Sequence, residues 1–208
     1  MKRTTVLNLS KFKFFAELRA NPSLFSFFAL FLISLICGCL FYRNGHFEKL
    51  SSILFDFFYS NSTHNKFSLN LIFTFVVYFS FLFASYLFGT SVIGIAFIPA
   101  IVFVKGIFTS LLLCHIYANF GFQGIVYNLL MFIPGTLISI LVLFTGCSEC
   151  IKLSYNLGSM LFGGSNCFEK NFRKRFVVLF LILTLLLVIA SMINVLSSRA
   201  FINYFTLG

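Results

Sequence analysis

Long runs of apolar residues dominate the chain, and shorter polar segments separate them. Each run is about 20 residues or longer, the length that an α-helix needs to cross the hydrocarbon core of a bilayer. A lone strand would leave its backbone groups unpaired in lipid, so helices are the expected spanning elements. The pattern predicts five transmembrane helices, at residues 24–42, 69–88, 92–116, 125–147 and 176–197.

The composition supports a membrane protein. Hydrophobic residues make up 60% of the 208 residues and charged residues only 10%, whereas a typical soluble domain is about a quarter charged. We therefore predict an all-α, polytopic membrane helix bundle with short interfacial amphipathic helices. The whole chain, 1–208, is expected to form a single integral membrane domain.

Basic residues gather in two polar segments. One is an expected cytoplasmic interfacial segment at 1–22, and the other is the basic connection at 148–175. With five spans these segments fall on the same side, and Lys and Arg near helix ends favour the cytoplasm. The net charge of +10 therefore indicates contact with membrane lipids rather than nucleic acid. We expect the bacterial cytoplasmic membrane, with the N-terminus inside and the C-terminus outside.

The extracytoplasmic connection at 43–67 contains an amphipathic stretch, residues 48–60. Its apolar residues follow the i, i+3, i+4, i+7, i+8 spacing of one helical face. Two interpretations stay open: a surface that binds a partner protein, or a helix that rests in the interface or caps the bundle. The candidate partner-binding residues are Leu50, Ile53, Leu54, Phe57 and Phe58.

One charged residue, Lys105, falls inside a predicted span. A charge at the centre of a membrane helix costs about 2.5 kcal/mol or more, and all five acidic residues lie outside the predicted spans. We expect Lys105 to act as a polar clasp that joins helices, bound by backbone carbonyls and by the oxygens of Ser110, Tyr127 and Asn128. The alternatives are a neutral lysine, a lysine that extends into a water-filled notch, and contact with a substrate.

Prolines and glycines near this lysine indicate close helix packing. Pro99 and Pro134 occur in similar stretches, AFIPA and MFIPG, and each proline removes one backbone donor. The carbonyls of Ile95 and Leu130 are thereby left free. Paired proline breaks occur at transporter sites, but tightly packed, kinked helices show the same feature, and small residues let helices approach in lipid. The packing and clasp candidates are Gly89, Gly94, Pro99, Lys105, Gly106, Asn128 and Pro134.

Motifs for catalysis or metal binding are missing from the sequence. His46, His64 and His115 are isolated, and Cys147 and Cys150 form a C-x-x-C without the further ligands that a zinc site requires. The cysteines inside the first three predicted spans are interpreted as small apolar residues. We predict that the chain is not an enzyme and has no catalytic, cofactor or metal site.

The region around Lys105 is similar to a known family. The stretch LFGTSVIGIAFIPAIVFVKG at 87–106, followed by GFQGIVYNLL and a fourth span that contains proline, resembles the stage II sporulation protein M family. The resemblance extends in layout to about residues 8–198.

This resemblance implies a non-enzymatic membrane scaffold. Such an anchor would recruit peptidoglycan-remodelling hydrolases, the stage II sporulation proteins D and P, during spore engulfment. The alternative is a transporter or permease subunit that uses Lys105 and the helix breaks at Pro99 and Pro134 for substrate contact.

Overall fold

The structure, a computed structural model, describes residues 22–45, 47, 49–55, 67–161 and 170–202. Its long helices are α1 (Pro22–Arg43), α2 (Phe67–Gly89), α3 (Gly94–Tyr127), α4 (Ile133–Leu161) and α5 (Lys170–Ile202), and a π-helix, Asn128–Phe132, joins α3 to α4. Each of the five α-helices is long and apolar enough to cross a membrane. The predicted multi-pass helix bundle is confirmed. The predicted segment at 1–22 lies outside the described residues, except for Pro22.

The helices are apolar on their outer as well as their inner faces. Phe25, Ile36, Leu181 and Leu185 are all more than half exposed. Such helices are stable only where the surroundings are themselves apolar. The outer face of the bundle is therefore suited to lipid.

Helix α4 lies at the centre of the bundle. It contributes to a core cluster with α1 and α3, in which Phe144 packs against Phe27 and Phe31. It also contributes to a second cluster with α2 and α5, which includes Leu82 and Leu187. The other long helices are arranged around it.

The chain reverses direction at Gly121, between the third and fourth spans. Gly121 has φ +54 and ψ −131, a conformation that glycine adopts far more readily than other residues. Three residues later the backbone passes so close to the Ile116 carbonyl that a Cβ at Gly124 would lie 2.6 Å from its oxygen. The predicted connection at 117–124 is thus helical except for this tight break.

The fourth span is shifted along the chain relative to its predicted bounds, 125–147. The structure begins α4 at Ile133, after the π-helix, and ends it at Leu161. Residues 148–161, expected to belong to a basic connection, therefore continue the helix. Residues 170–175 of that connection belong to α5, and residues 162–169 lie outside the described residues.

An amphipathic pattern explains the extension of α4. Cys150 and Leu153 are buried, and Leu157 also packs against the core. On the outer side, Lys152 Nζ lies 2.7 Å from Glu149 Oε1, an i, i+3 ion pair. Glu149, placed outside the spans by sequence reasoning, thus belongs to a spanning helix and is paired there.

Contacts near the helix ends show which segments share one side. Ser23 Oγ, at the start of α1, lies 3.0 Å from Ser148 Oγ. Tyr86, near the end of α2, stacks on Phe176, near the start of α5, with 5.7 Å between ring centroids. We call this side the basic end, because both basic segments of the sequence adjoin it. The other side is called the opposite end.

Candidate functional site

Lys105 is buried on α3, with 7% of its surface exposed. Its Nζ lies 4.8 Å from the centroid of the Tyr78 ring and 4.8 Å from that of the Phe81 ring. A cation over an aromatic face is attracted by the ring quadrupole, by about 2 kcal/mol or more where water is excluded. Lys105 therefore joins α3 to one face of α2.

Of the side chains that the sequence suggested as partners of Lys105, Ser110 and Asn128 are described, whereas the side chain of Tyr127 lies outside the described residues. Ser110 Oγ donates a hydrogen bond to the Leu35 carbonyl, at 2.8 Å. The Asn128 Oδ1 is buried without a hydrogen-bond partner in the described part of the chain. Only oxygen atoms were expected as partners from the sequence, whereas the chain also offers the ring faces of 33 Phe and 8 Tyr.

Tyr78 extends this contact to α5. Asn194 Nδ2 donates a hydrogen bond to Tyr78 Oη, at 3.3 Å, and both residues are buried. On α4, a Cβ at Gly135 would lie 2.6 Å from the Asn194 Cβ, so the two helices are in close contact there. We call Lys105, Tyr78, Phe81 and Asn194 the central clasp. It joins α2, α3 and α5, with α4 packed against it.

Small residues allow α1 to cross α3 closely. A Cβ at Gly106 would overlap the hydroxyl of Ser34, and a Cβ at Gly38 would lie 2.7 Å from the Ser110 Cβ. Helix association in lipid depends on such close packing, because lipid chains are as apolar as the helices. Gly106, directly after Lys105, is therefore a contact point between α3 and α1.

Gly89 and Gly94 flank the turn at the basic end. A Cβ at Gly89 would lie 2.7 Å from the Cys150 Cβ, and a Cβ at Gly94 would overlap the Phe88 carbonyl. The turn itself is held to α4, because Ser154 Oγ donates a hydrogen bond to the Ser91 carbonyl at 2.6 Å. These glycines thus fix the α2–α3 turn against α4.

The two prolines occupy different helical positions. Pro99 lies inside α3, where it cannot donate to the carbonyl one turn earlier. Pro134 is the second residue of α4 and directly follows the π-helix. Proline is well tolerated in the first turn of a helix. Pro134 therefore stands at the junction between π-helix and α-helix, whereas Pro99 is an interior proline.

At the opposite end, residues 49–55 form a short helix over His115. Ser51 Oγ lies 3.2 Å from His115 Nδ1, and the Phe55 and His115 ring centroids are 5.3 Å apart. Asn119 Nδ2 lies 3.0 Å from His115 Nε2. Because an amide nitrogen only donates, Nε2 accepts, and Nδ1–H of the neutral ring donates to Ser51. Ser51 and Phe55 therefore form the capping face, which periodicity alone did not identify.

The predicted partner-binding residues of this short helix differ in exposure. Ile53 is 63% exposed, and Leu50 and Leu54 are half-buried. Phe57 and Phe58 lie outside the described residues. The short helix thus caps the bundle with one face while it exposes Ile53 on another.

Comparison with known protein families matches residues 27–199 to the family described as Stage II sporulation protein M. The chain belongs to the stage II sporulation protein M family. The matched range begins within α1, ends within α5 and includes the whole central clasp. No curated protein and no solved structure matches the chain.

This stage II sporulation protein M family member is thus a multi-pass membrane protein of a sporulation family. Within the residues that the structure describes, no group of three or more His, Cys, Asp or Glu side chains is arranged to hold a metal ion. Cys147 and Cys150 of the C-x-x-C are buried in the contact between α4 and α2.

Proposed function

We propose that this protein is a non-enzymatic anchor that holds peptidoglycan-remodelling hydrolases at the outer face of the cytoplasmic membrane during spore engulfment. The observation that carries the proposal is the family match over residues 27–199. The partners would be the stage II sporulation proteins D and P. The five membrane-spanning helices would supply the attachment to the membrane.

Charge supports the orientation that an anchor requires. Both basic segments adjoin one end of the bundle, and Lys and Arg concentrate on the cytoplasmic side of membrane proteins. With the basic end inside, the short helix 49–55 lies outside. It is then on the side of the membrane where the cell wall is built.

Exposure of Ile53 supports this helix as the docking element. The side chain is 63% exposed, although its neighbours Ser51 and Phe55 hold the helix in place. Burial of an isoleucine side chain against a partner contributes about 1.5–3 kcal/mol. A helix that is already fixed also loses less conformational entropy when it binds.

The central clasp supports an anchor over a transporter. In the described part of the chain, Asn128 Oδ1 is the one fully buried side-chain nitrogen or oxygen that lacks a hydrogen-bond partner. Lys105 faces aromatic rings and is 7% exposed. The lysine side chain is thus packed against aromatic rings and largely shielded from water, which suits a structural role better than a hydrated pathway for a substrate.

Copurification from sporulating cells tests the proposal. A tagged native chain, solubilised in mild detergent, should retain the hydrolases, as detected with antibodies against them. The Ile53→Ser chain should lose them. A matched control is Phe122→Ser, because Phe122 is also an exposed apolar residue, 79% exposed, beside the Gly121 reversal at the opposite end. This control should retain the hydrolases.

Two results would contradict the proposal. One is a native chain that retains no hydrolase although it is intact and inserted in the membrane. The other is purified protein that moves a solute across liposome membranes in a manner abolished by Lys105→Met. The second result would favour the transporter.

A further inference from the structure

Two cysteines of neighbouring helices lie in contact at the surface of the bundle. Cys39 belongs to α1 and Cys114 to α3, and their Sγ atoms are 3.3 Å apart. Cys39 is exposed and Cys114 is half-buried. The two residues are 75 positions apart in the sequence, so only the fold brings them together.

The close crossing of α1 and α3 holds the two thiols in place. Gly38, next to Cys39, lies against Ser110, one turn before Cys114. Ser110 Oγ lies 3.2 Å from Cys39 Sγ and also donates to the Leu35 carbonyl. A disulfide bond is about 2.05 Å long, so the sulfur atoms need to approach by only about 1 Å more.

We propose that Cys39 and Cys114 are a redox-active pair that forms a reversible disulfide between α1 and α3. The oxidant is a hydroperoxide, a class of molecule that forms in and partitions into lipid. The inference concerns the bundle itself and does not depend on the proposed hydrolase anchoring.

The reaction has two steps. One thiolate attacks the outer peroxide oxygen, the O–O bond breaks, and a sulfenic acid and an alcohol result. The second sulfur then attacks the sulfenic sulfur, which forms the S–S bond and releases water. Two thiols and one hydroperoxide thus give one disulfide, one alcohol and one water. A dithiol reductant restores both thiols by exchange.

The position of the pair indicates what the bond would control. His115, which holds the short helix 49–55 through Ser51, directly follows Cys114. A disulfide between Cys39 and Cys114 fixes α1 to α3 beneath that helix. Oxidation would therefore join α1 and α3, the two helices beneath the short helix 49–55, by a covalent bond.

A protease site inserted at the turn formed by Asn44 and Gly45 tests the proposal. The turn separates Cys39 from Cys114, and the space beside Gly45 is open. The full chain in liposomes is treated with cumene hydroperoxide, blocked with N-ethylmaleimide and cleaved. On a denaturing gel without reductant, the two fragments should stay joined, and dithiothreitol should separate them. Cys37→Ser should leave them joined, whereas Cys39→Ser and Cys114→Ser should each separate them.

Separate fragments from the oxidised native chain would overturn the proposal. Fragments that stay joined in the Cys39→Ser chain would overturn it as well, because another thiol would then be the partner. Mass spectrometry of the oxidised native chain provides a test that needs no cysteine substitution. The expected product is a peptide pair linked through Cys39 and Cys114, and linkage through other cysteines alone would contradict the assignment.

Discussion

The ammonium nitrogen of Lys105 lies 4.8 Å from the centre of the Tyr78 ring. The hydroxyl of the same ring accepts a hydrogen bond from Asn194. One tyrosine thus joins a charge on α3 to an amide on α5. Because no carboxylate faces this lysine in the contacts that the structure describes, the ring faces are its main favourable contact inside the bundle.

A double-mutant cycle at Lys105 and Tyr78 should reveal this interaction. Lys105→Met is expected to lower the free energy of unfolding in mixed micelles by about 1 kcal/mol. Combined with Tyr78→Leu, it should show a coupling energy of about 2 kcal/mol, since each change removes the same cation–π contact.

The matched control for this cycle is Tyr78→Phe. It keeps the ring but removes the hydroxyl that Asn194 binds, so its coupling to Lys105→Met should be close to zero. Higher stability of the Lys105→Met protein, with unchanged function, would contradict a clasp role for Lys105.

Substitution at Gly106 should weaken the contact between α1 and α3. A Cβ there would overlap the Ser34 hydroxyl, and overpacking of this kind typically costs about 1–3 kcal/mol. We expect Gly106→Ala to lower the free energy of unfolding by that amount and Ser34→Gly to recover part of the loss. Gly158→Ala is the control, because its Cβ would meet Val92 at an ordinary 3.5 Å. Equal stability of the Gly106→Ala and Gly158→Ala proteins would disprove the close crossing.

The short helix 49–55 should depend on Phe55 for its order. The Phe55 ring packs against His115 and Phe120, with centroids 5.3 Å and 5.8 Å away, and a helix this short does not persist alone in water. Phe55→Ala should therefore speed amide hydrogen exchange in residues 49–55, as measured by mass spectrometry. Ile53→Ala, at an exposed position, should leave the exchange unchanged. Equal exchange in the two variants would show that Phe55 does not hold the helix.

Thiol labelling should establish the orientation. Single cysteines at Asn44 and at Tyr155 are suitable, in a chain whose native cysteines are replaced, because both residues are exposed and lie at opposite ends of the bundle. In intact cells a membrane-impermeant maleimide should label the Asn44→Cys chain. The Tyr155→Cys chain should react only after lysis, and its labelling in intact cells would reverse the proposed topology.

Much of the fold follows from hydropathy alone. Four predicted spans fall almost entirely within the observed α1, α2, α3 and α5, because long apolar runs leave helix as the one stable structure in lipid, although α3 and α5 extend beyond the predicted bounds. The fourth span is the exception, because its bounds depend on backbone conformation and on tertiary contacts, which hydropathy does not show. Gly121 reverses the chain within a helical stretch, and the extension of α4 beyond Cys147 depends on tertiary burial of Leu153.

The site could be predicted only in part. The sequence identified Lys105 as unusual, since a charge inside an apolar run is visible without a structure. It could not identify Tyr78 or Asn194 as part of the clasp, because contacts between different helices depend on how the helices are rotated. The capping role of Ser51 was not predicted either. The helical face was identified from its apolar residues, and a serine does not contribute to that pattern.

The most direct test of the anchoring role is a binding measurement with purified components. The chain is placed in lipid nanodiscs, and a purified peptidoglycan hydrolase, stage II sporulation protein D or P of the same host, is titrated into the solution. Saturable binding is expected. Ile53→Ser should weaken it about tenfold or more, the change that corresponds to loss of one buried isoleucine contact, while Phe122→Ser leaves it unchanged. Binding of both hydrolases no stronger than to empty nanodiscs would contradict the account.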